Sequence, residues 1–349
     1  MSSYAVELEP GRAPSPAAIA DESYQDAILP GVSRTFALTI PELPPGLREV
    51  VTNGYLLCRI ADTIEDDPEL TAAEKLRYHD EFHAAVIGRR ELERELVRNA
   101  AQVVRVTQRF DERQRAALSR CVRIMCSGMP SFQRTGRRRG LEDLAEMHDY
   151  CYYVAGVVGE MLTELFCAYS SEIDARRADL ERLAVSFGQA LQMTNILKDV
   201  WDDLEHGFCW LPKDVFARRG FDLRELSPAR RSPAFEDGMR ELVAVAHAHL
   251  RDALEYTLAI PPHEKGIRRF CLWALFMAVL TLRKIARNIG FNTSKSVKIS
   301  RRSVKAVIVV TNVCTSRDRL LRLAFAIAAT GLPRPQSFEW TAPRELARA

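Results

Sequence analysis

The stretch Gln192-Met-Thr-Asn195-Ile-Leu-Lys198-Asp199-Val-Trp-Asp202-Asp203-Leu-Glu205 decides how the rest of the chain is read. At 3.6 residues per turn, Asn195, Asp199 and Asp203 fall on one stripe of a helix, four residues apart. Aspartates at that spacing repel, so stacking Asp199 over Asp203 needs water or a cation to offset the repulsion. Backward, the stripe runs through Gln192 into Phe187-Gly188-Gln189-Ala190-Leu191, which is too apolar for a freely exposed face. A partly buried row of carboxylates and a carboxamide supplies the hard oxygen ligands that Mg²⁺ takes, with waters and substrate phosphates completing its octahedron. Taken alone, one such pair reads more readily as the solvated acidic end of a helix.

A second copy changes that balance. Arg59-Ile-Ala-Asp62-Thr-Ile-Glu65-Asp66-Asp67 sets Asp62 and Asp66 one turn apart, after the apolar run of Val50, Val51 and Tyr55-Leu56-Leu57-Cys58. Two helices that each close an apolar face with an aspartate pair can oppose each other across a cavity. Helical bundles build metal sites in this way, from carboxylates on facing helices.

The 349 residues are 47% hydrophobic, ample for a packed core. Lys and Arg number 49 against 46 Asp and Glu, a net +3, so no global basic field points to nucleic acid. The eight cysteines show no CxxC pair and no zinc spacing, and read as reduced residues of an intracellular protein. Residues 1–20 read as a flexible tail without the charged and apolar regions of a signal peptide. Residues 21–332 read as one all-α domain, and 333–349 as a second tail after Pro333 and Pro335 end the ordered fold. The longest apolar stretch, Phe270 to Leu282, is shorter than the roughly 20 residues a spanning helix needs, so it reads as a core helix. The expected location is cytoplasmic, with attachment to a membrane surface left open. Oligomeric state is silent.

Periodicity places helices over 21–33, broken at Pro30-Gly31, and from Leu47 to Asp66 and Thr71 to about Asn99. Ser33 is placed to cap a helix that starts near Arg34. Ser127 to Gly140, with Arg134, Arg137, Arg138 and Arg139, reads as a loop, either a solvated turn or a flap near anionic groups. Leu144 to Tyr169 is a long apolar helix in which Gly156 and Gly159 call for close approach of another helix or a ligand. Its Tyr150, Tyr152 and Tyr153 are either core aromatics or phenols beside a cavity, whose ring faces stabilise a cation. Further helices are expected at 236–258, 264–289 and 301–330, with Val304 to Val310 the only strand-like run.

Together these segments resemble the squalene and phytoene synthase family of head-to-head prenyl synthases, and squalene synthases within it most closely. The resemblance rests on Ser33-Arg34-Thr-Phe36, Tyr55 to Asp67, Tyr150 to Gly159, Gln192 to Glu205, Phe270-Cys271 and Val297-Lys298-Ile299, in family order. It implies a single all-α domain of the isoprenoid-synthase type around a central cavity. It implies that Asp62, Asp66, Asn195, Asp199 and Asp203 ligate Mg²⁺, directly or through water. Arg34, Tyr55, Arg59 and Lys198 look like diphosphate contacts, with Gln192 beside them, and Phe36 and Phe270 look like cavity wall. Tyr150 looks like the catalytic tyrosine, with Tyr153 the other candidate. The implied substrate is farnesyl diphosphate, joined in pairs to presqualene diphosphate and reduced with NADPH to squalene, with peripheral membrane association for product release.

Lys298 and Arg301 look like the basic residues of the NADPH site. Ser300 stands where squalene synthases often carry a second basic residue, and no GxGxxG follows a strand, so that site is not of the dinucleotide-fold type. The chain ends at Ala349 without the membrane-anchoring tail of eukaryotic relatives, which is more like a bacterial, soluble or peripherally bound form. Leu211-Pro212 is closer to the phytoene branch. Two alternatives therefore stand beside the first reading: a dehydrosqualene or phytoene synthase that omits the reduction, and a non-catalytic helical binding protein.

Overall fold

The computed structural model describes residues 16–33, 35–67, 69–89, 98–135, 140–228 and 232–343. The first half of the chain builds α1 (Pro16–Val32), α2 (Phe36–Thr39), α3 (Pro45–Asp66), α4 (Ala72–Val86), α5 (Arg98–Thr107), α6 (Glu112–Thr135), α7 (Leu144–Cys151), α8 (Val157–Tyr169) and α9 (Ser171–Asp174). The second half builds α10 (Arg177–Glu205), α11 (Lys213–Ala217), α12 (Pro233–Ala259), α13 (Lys265–Arg287), α14 (Ser294–Val297), α15 (Arg301–Cys314) and α16 (Asp318–Ala328). Among the described residues there is no strand, only an isolated bridge between Leu141 and Pro212. Val304 to Val310 is helical, because Ser300 caps α15 by accepting from the Ser303 amide at 3.1 Å.

The buried side chains form two apolar clusters. One gathers α3 to α6 and α8 around Leu57, Phe82, Leu118 and Phe166. The other gathers α10, α12 and α13 around Trp201, Phe216, Phe235 and Leu272. The half-buried rings of Tyr153 and Phe187 pack against both. α3 packs on α4, α5, α6 and α8, and α10 packs on α8, α12 and α13, so the two aspartate rows stand on opposite sides of this seam.

Glycine sets how closely the helices lining the seam approach. A Cβ on Gly188 of α10 would lie 2.1 Å from the Ala155 carbonyl oxygen, and one on Gly159 of α8 would lie 2.1 Å from that of Ala184. Close approach of another helix is therefore what Gly159 requires. Between α7 and α8 the chain makes one π-helical turn, Tyr152–Gly156, which adds a residue to the turn and resets the faces before and after it.

Prolines and glycines end fewer helices than their propensities predict. α1 starts at Pro16, inside the expected tail, and runs through Pro30 to Val32. Ser33 does cap the next helix, accepting from the Phe36 amide at 2.9 Å. The helix after Thr71 starts with a capping box to Glu74 but stops at Val86, because Gly88 turns left-handed at φ 75°. Ser127 to Thr135 is not loop: α6 continues through Pro130, and a Cβ on Gly128 would collide with the Tyr153 ring. Arg137, Arg138, Arg139 and the Arg134 side chain lie outside the described residues. The expected 301–330 helix is two, split after Cys314, where the buried Arg268 guanidinium binds the Thr315 carbonyl at 3.0 Å and Asp318 at 2.7 Å.

Nor does Pro333 end the ordered chain. His247 Nδ1 lies 2.9 Å from the Pro333 carbonyl, and the Gln336 amide donates to Ala244 at 3.0 Å. Phe338 stacks on His148 at 4.6 Å, and the Trp340 indole donates to Asp149 at 2.7 Å. The segment after Pro333 is thus strapped across α12 and α7.

Candidate active site

The first row closes α3. Arg59 reaches forward one turn to Asp62 at 3.0 Å. Burial is the main cause that pushes the Asp62 carboxyl up to about 7, with the Asp66 charge adding to it and Arg59 opposing. Burial also raises Asp66. Behind the row, the buried Glu65 binds His79 of α4 at 2.9 Å, and Lys75 donates to the Glu65 carbonyl, so α4 fixes where α3 ends.

The second row closes α10. Lys198 bridges it, 3.1 Å from the Asn195 amide oxygen and 3.0 Å from Asp199. Asp203 is also pushed up to about 7, first by burial, then by Asp199 and Asp202, and by Asp66 from the other row. Gln192 sits half-buried one turn before Asn195 on the same helix.

Tyr150 lies where the fields of both rows meet. Burial first, then Cys151, Asp62, Asp66 and Asp203, hold its phenol well above the ordinary value. Its ring stacks on Trp210 at 4.1 Å with the planes 6° apart, and Trp210 stacks in turn on Phe208 at 5.5 Å. Phe132 meets Tyr150 edge-on at 5.5 Å. Tyr153, one turn on, packs against Phe132 at 5.8 Å and Tyr152 at 5.5 Å. Sequence reading missed the ladder of Phe208 and Trp210; an aromatic pair two residues apart, directly after the acidic row, was its only signal.

Of the expected wall, Phe36 packs on Tyr55 at 4.9 Å and on Phe270 at 6.3 Å, joining α2, α3 and α13. The Tyr55 hydroxyl donates to the Val32 carbonyl at 3.2 Å. Arg34 lies outside the described residues. Lys298 and Arg301 are exposed where α15 begins, and among the described residues no hydrogen bond or ion pair joins them to either row.

The sequence also gave no sign of a polar cluster beside α7. Ser186 Oγ lies 2.6 Å from His249 Nδ1 and 2.8 Å from Asp252, and His249 Nε2 lies 3.0 Å from His148 Nε2. Burial pushes His249 down to about 3, so it is neutral at physiological pH.

The donor set fits divalent cations of the Mg²⁺ kind. All five expected ligands offer oxygen, and Asp62 and Asp203 are half-buried carboxylates that carry raised pKa values beside like charges. Among the described residues no three carboxylate, imidazole or thiolate groups converge on one point. An ion held here needs ligands from outside the chain, and phosphate oxygens have that chemistry.

The comparisons with known proteins agree with this geometry. The sequence pattern of the family described as squalene/phytoene synthase matches residues 29–303. The squalene synthase of Schizosaccharomyces pombe is 29% identical over 328 residues, covering 89% of this chain and 70% of that protein. The structure of TcSQS with the ligand BPH1237 superposes with a TM-score of 0.74 at 26% identity, covering 91% of this chain and 94% of that one. A dehydrosqualene synthase in complex with a ligand shares the fold at a TM-score of 0.62 and 23% identity, covering 84% of this chain and 95% of its own. With aspartate rows on both walls of an all-helical seam and a family pattern that spans most of its length, the chain belongs to the squalene/phytoene synthase family.

Proposed function

We propose that the chain joins two molecules of farnesyl diphosphate head to head into presqualene diphosphate and reduces this to squalene with NADPH. The observation that carries the reading is Tyr150, set in the fields of both aspartate rows, stacked on Trp210 and met edge-on by Phe132. Ionising an allylic diphosphate needs its developing charge neutralised, and the carbocation left behind needs shelter from water.

Asp62, Asp66, Asn195, Asp199 and Asp203 would hold Mg²⁺, which when bound supplies Lewis-acid charge to the leaving diphosphate. Arg59 and Lys198 each stand beside a row, where a guanidinium and an ammonium bind phosphate oxygens. Because its phenol stays protonated at neutral pH, Tyr150 acts as a hydrogen-bond donor to the departing group, not as a standing phenolate base. Aromatic rings beside the reacting carbons would stabilise a cation, and Tyr150 with its stacked partner Trp210 is the candidate pair. Phe36, Tyr55 and Phe270 form apolar wall that keeps water out.

A second reading stops at dehydrosqualene or phytoene. It draws on the exposure of Lys298 and Arg301, which leaves a phosphate-bearing cofactor little enclosure there. Incubation with farnesyl diphosphate and Mg²⁺, with and without NADPH, followed by product identification, separates the readings. The first predicts squalene with NADPH, and presqualene diphosphate or its breakdown products without it. Under it, Lys298→Ala raises the fraction of presqualene diphosphate at a given NADPH level. Dehydrosqualene or phytoene unchanged by NADPH replaces it with the second, and no product at all returns the chain to a binding role.

A further inference from the structure

Eight large apolar residues are exposed on the described surface, and six of them fall on two neighbouring helices, α15 and α16. On α15 these are Val309, Val310 and Val313, at 62%, 43% and 64% exposure, on one stripe opposite the buried Val307 and Thr311. On α16 they are Leu320, Leu323 and Ile327, again one stripe, opposite the buried Leu321, Phe325 and Ala328. The inner stripes pack on α13 and on each other. Both helices are therefore apolar on the outside as well, a pattern that belongs to helices covered on both faces.

Charge says what covers them. α15 carries Arg301, Arg302 and Lys305 and no acidic residue, and on α16 Asp318 pairs with the buried Arg268 and Arg322 with Glu255, so Arg319 is the remaining cation there. Arg302 and Lys305 extend the α15 stripe backward by helical spacing, and Arg319 sits beside Leu320 on α16. Apolar side chains set among basic ones match the boundary of an anionic bilayer, where the first enter the acyl region and the second meet lipid phosphates. A second copy of this chain fits less well, because a symmetric contact would press the same basic rim against itself. Among the described residues only Leu144–Tyr169 is long and apolar enough to cross a membrane, and it is the helix that carries Tyr150 between α6 and α10.

We infer that the outer face of α15 and α16 docks the protein on the surface of an anionic lipid membrane. The use of such docking rests on the proposed function, whose substrate and product have long hydrocarbon chains. Its test does not, since vesicle binding is measured without substrate and fails separately from catalysis.

The test is co-sedimentation of the full chain with phosphatidylcholine vesicles, with and without added phosphatidylglycerol, in low and high salt. The expected result is binding that needs phosphatidylglycerol and weakens in salt. The paired substitutions Val309→Asp with Val313→Asp, and Leu323→Asp with Ile327→Asp, should each lower partitioning by about tenfold or more, by removing inserted apolar area. Arg302→Glu with Lys305→Glu leaves the apolar stripe in place and should lower it by about 25-fold or more, at about fivefold per basic residue. Thermal melts of each variant show whether the fold is kept, and the charge-reversal pair carries the test if an aspartate pair unfolds. Vesicle binding unaffected by any folded variant overturns the proposal. So does absence of vesicle binding, including the case where light scattering shows a dimer that the same substitutions dissolve.

Discussion

Gly188 has no room for a methyl group: its added Cβ would sit 2.1 Å from the Ala155 carbonyl oxygen, which is backbone and cannot swing aside. Gly188→Ala should destabilise the protein by about 2 kcal/mol or more, since separating α10 from the π-helical turn loosens both sides of the seam. Urea denaturation measures it, and a change under about 0.5 kcal/mol contradicts the tight approach. Tyr150 is tested by what its hydroxyl and its ring each do. Tyr150→Phe should lower turnover by about 10² if hydrogen-bond donation matters, and leave it nearly intact if only the ring does. Trp210→Leu removes the stacked partner and should lower turnover while leaving the melting temperature close to wild type, because Trp210 is only half-buried. A silent Tyr150→Phe beside a damaged Tyr153→Phe moves the role to Tyr153. At this scale spacing made the aspartates legible, and the family resemblance of Tyr150 to Gly159 singled out Tyr150. The sequence hid Trp210, Phe208 and the His148–His249 pair, whose partners are set by tertiary approach across unrelated elements.

Helices were legible wherever a 3.6-residue apolar period ran long, as in α3, α12 and α13, whose ends fall within a few residues of the pattern, whereas α10 begins at Arg177, well before the stripe read from Phe187 onward. The breaks were misread where a neighbour compensates a poor local propensity. Pro30 and Pro130 lie inside helices, and Gly128 is kept because the Tyr153 ring needs its space. The strap after Pro333 was invisible, because extended chain has no period to detect. It predicts that Trp340→Ala costs about 1–2 kcal/mol, from loss of the hydrogen bond to Asp149 and the contact with Tyr152. Chemical denaturation checks this, and an unchanged midpoint returns the segment to a free tail. At the other end, α1 is tied to α5 by Arg105, which binds both oxygens of the buried Asp21 at 2.6 and 2.9 Å. That bond holds the Asp21 carboxyl below its ordinary 3.8. Near pH 4 the unfolded chain binds more protons at this site than the folded one. Its stabilisation is therefore complete above 3.8 and lost as pH falls through the lower folded value. Asp21→Asn should destabilise by about 2 kcal/mol at neutral pH, with the gap to wild type narrowing below pH 4.

For the molecule as a whole, the pairing of two acidic rows was readable before any fold was known, since each violates the like-charge rule on an otherwise apolar face. Their placement across one seam was not, because nothing local says which helices oppose. That placement makes a binding prediction independent of turnover. No three acidic, imidazole or thiolate groups converge among the described residues, so Mg²⁺ and inorganic diphosphate should stabilise the protein together far more than either does alone. At 100 times the dissociation constant the gain is about 2.7 kcal/mol, read as a rise in melting temperature. An equal rise with Mg²⁺ alone contradicts a shared site.

The central claim is that both rows act on one leaving diphosphate, and release of inorganic diphosphate from farnesyl diphosphate measures this most directly. Asp62→Asn and Asp199→Asn each leave one row whole and relieve repulsion, so the folds should survive with unchanged melting temperatures. Wild type should release diphosphate only with Mg²⁺, and each variant should be slower by on the order of 10² or more, since each removes charge from the cluster. Release at the wild-type rate in either folded variant, or by wild type in EDTA, would contradict the account.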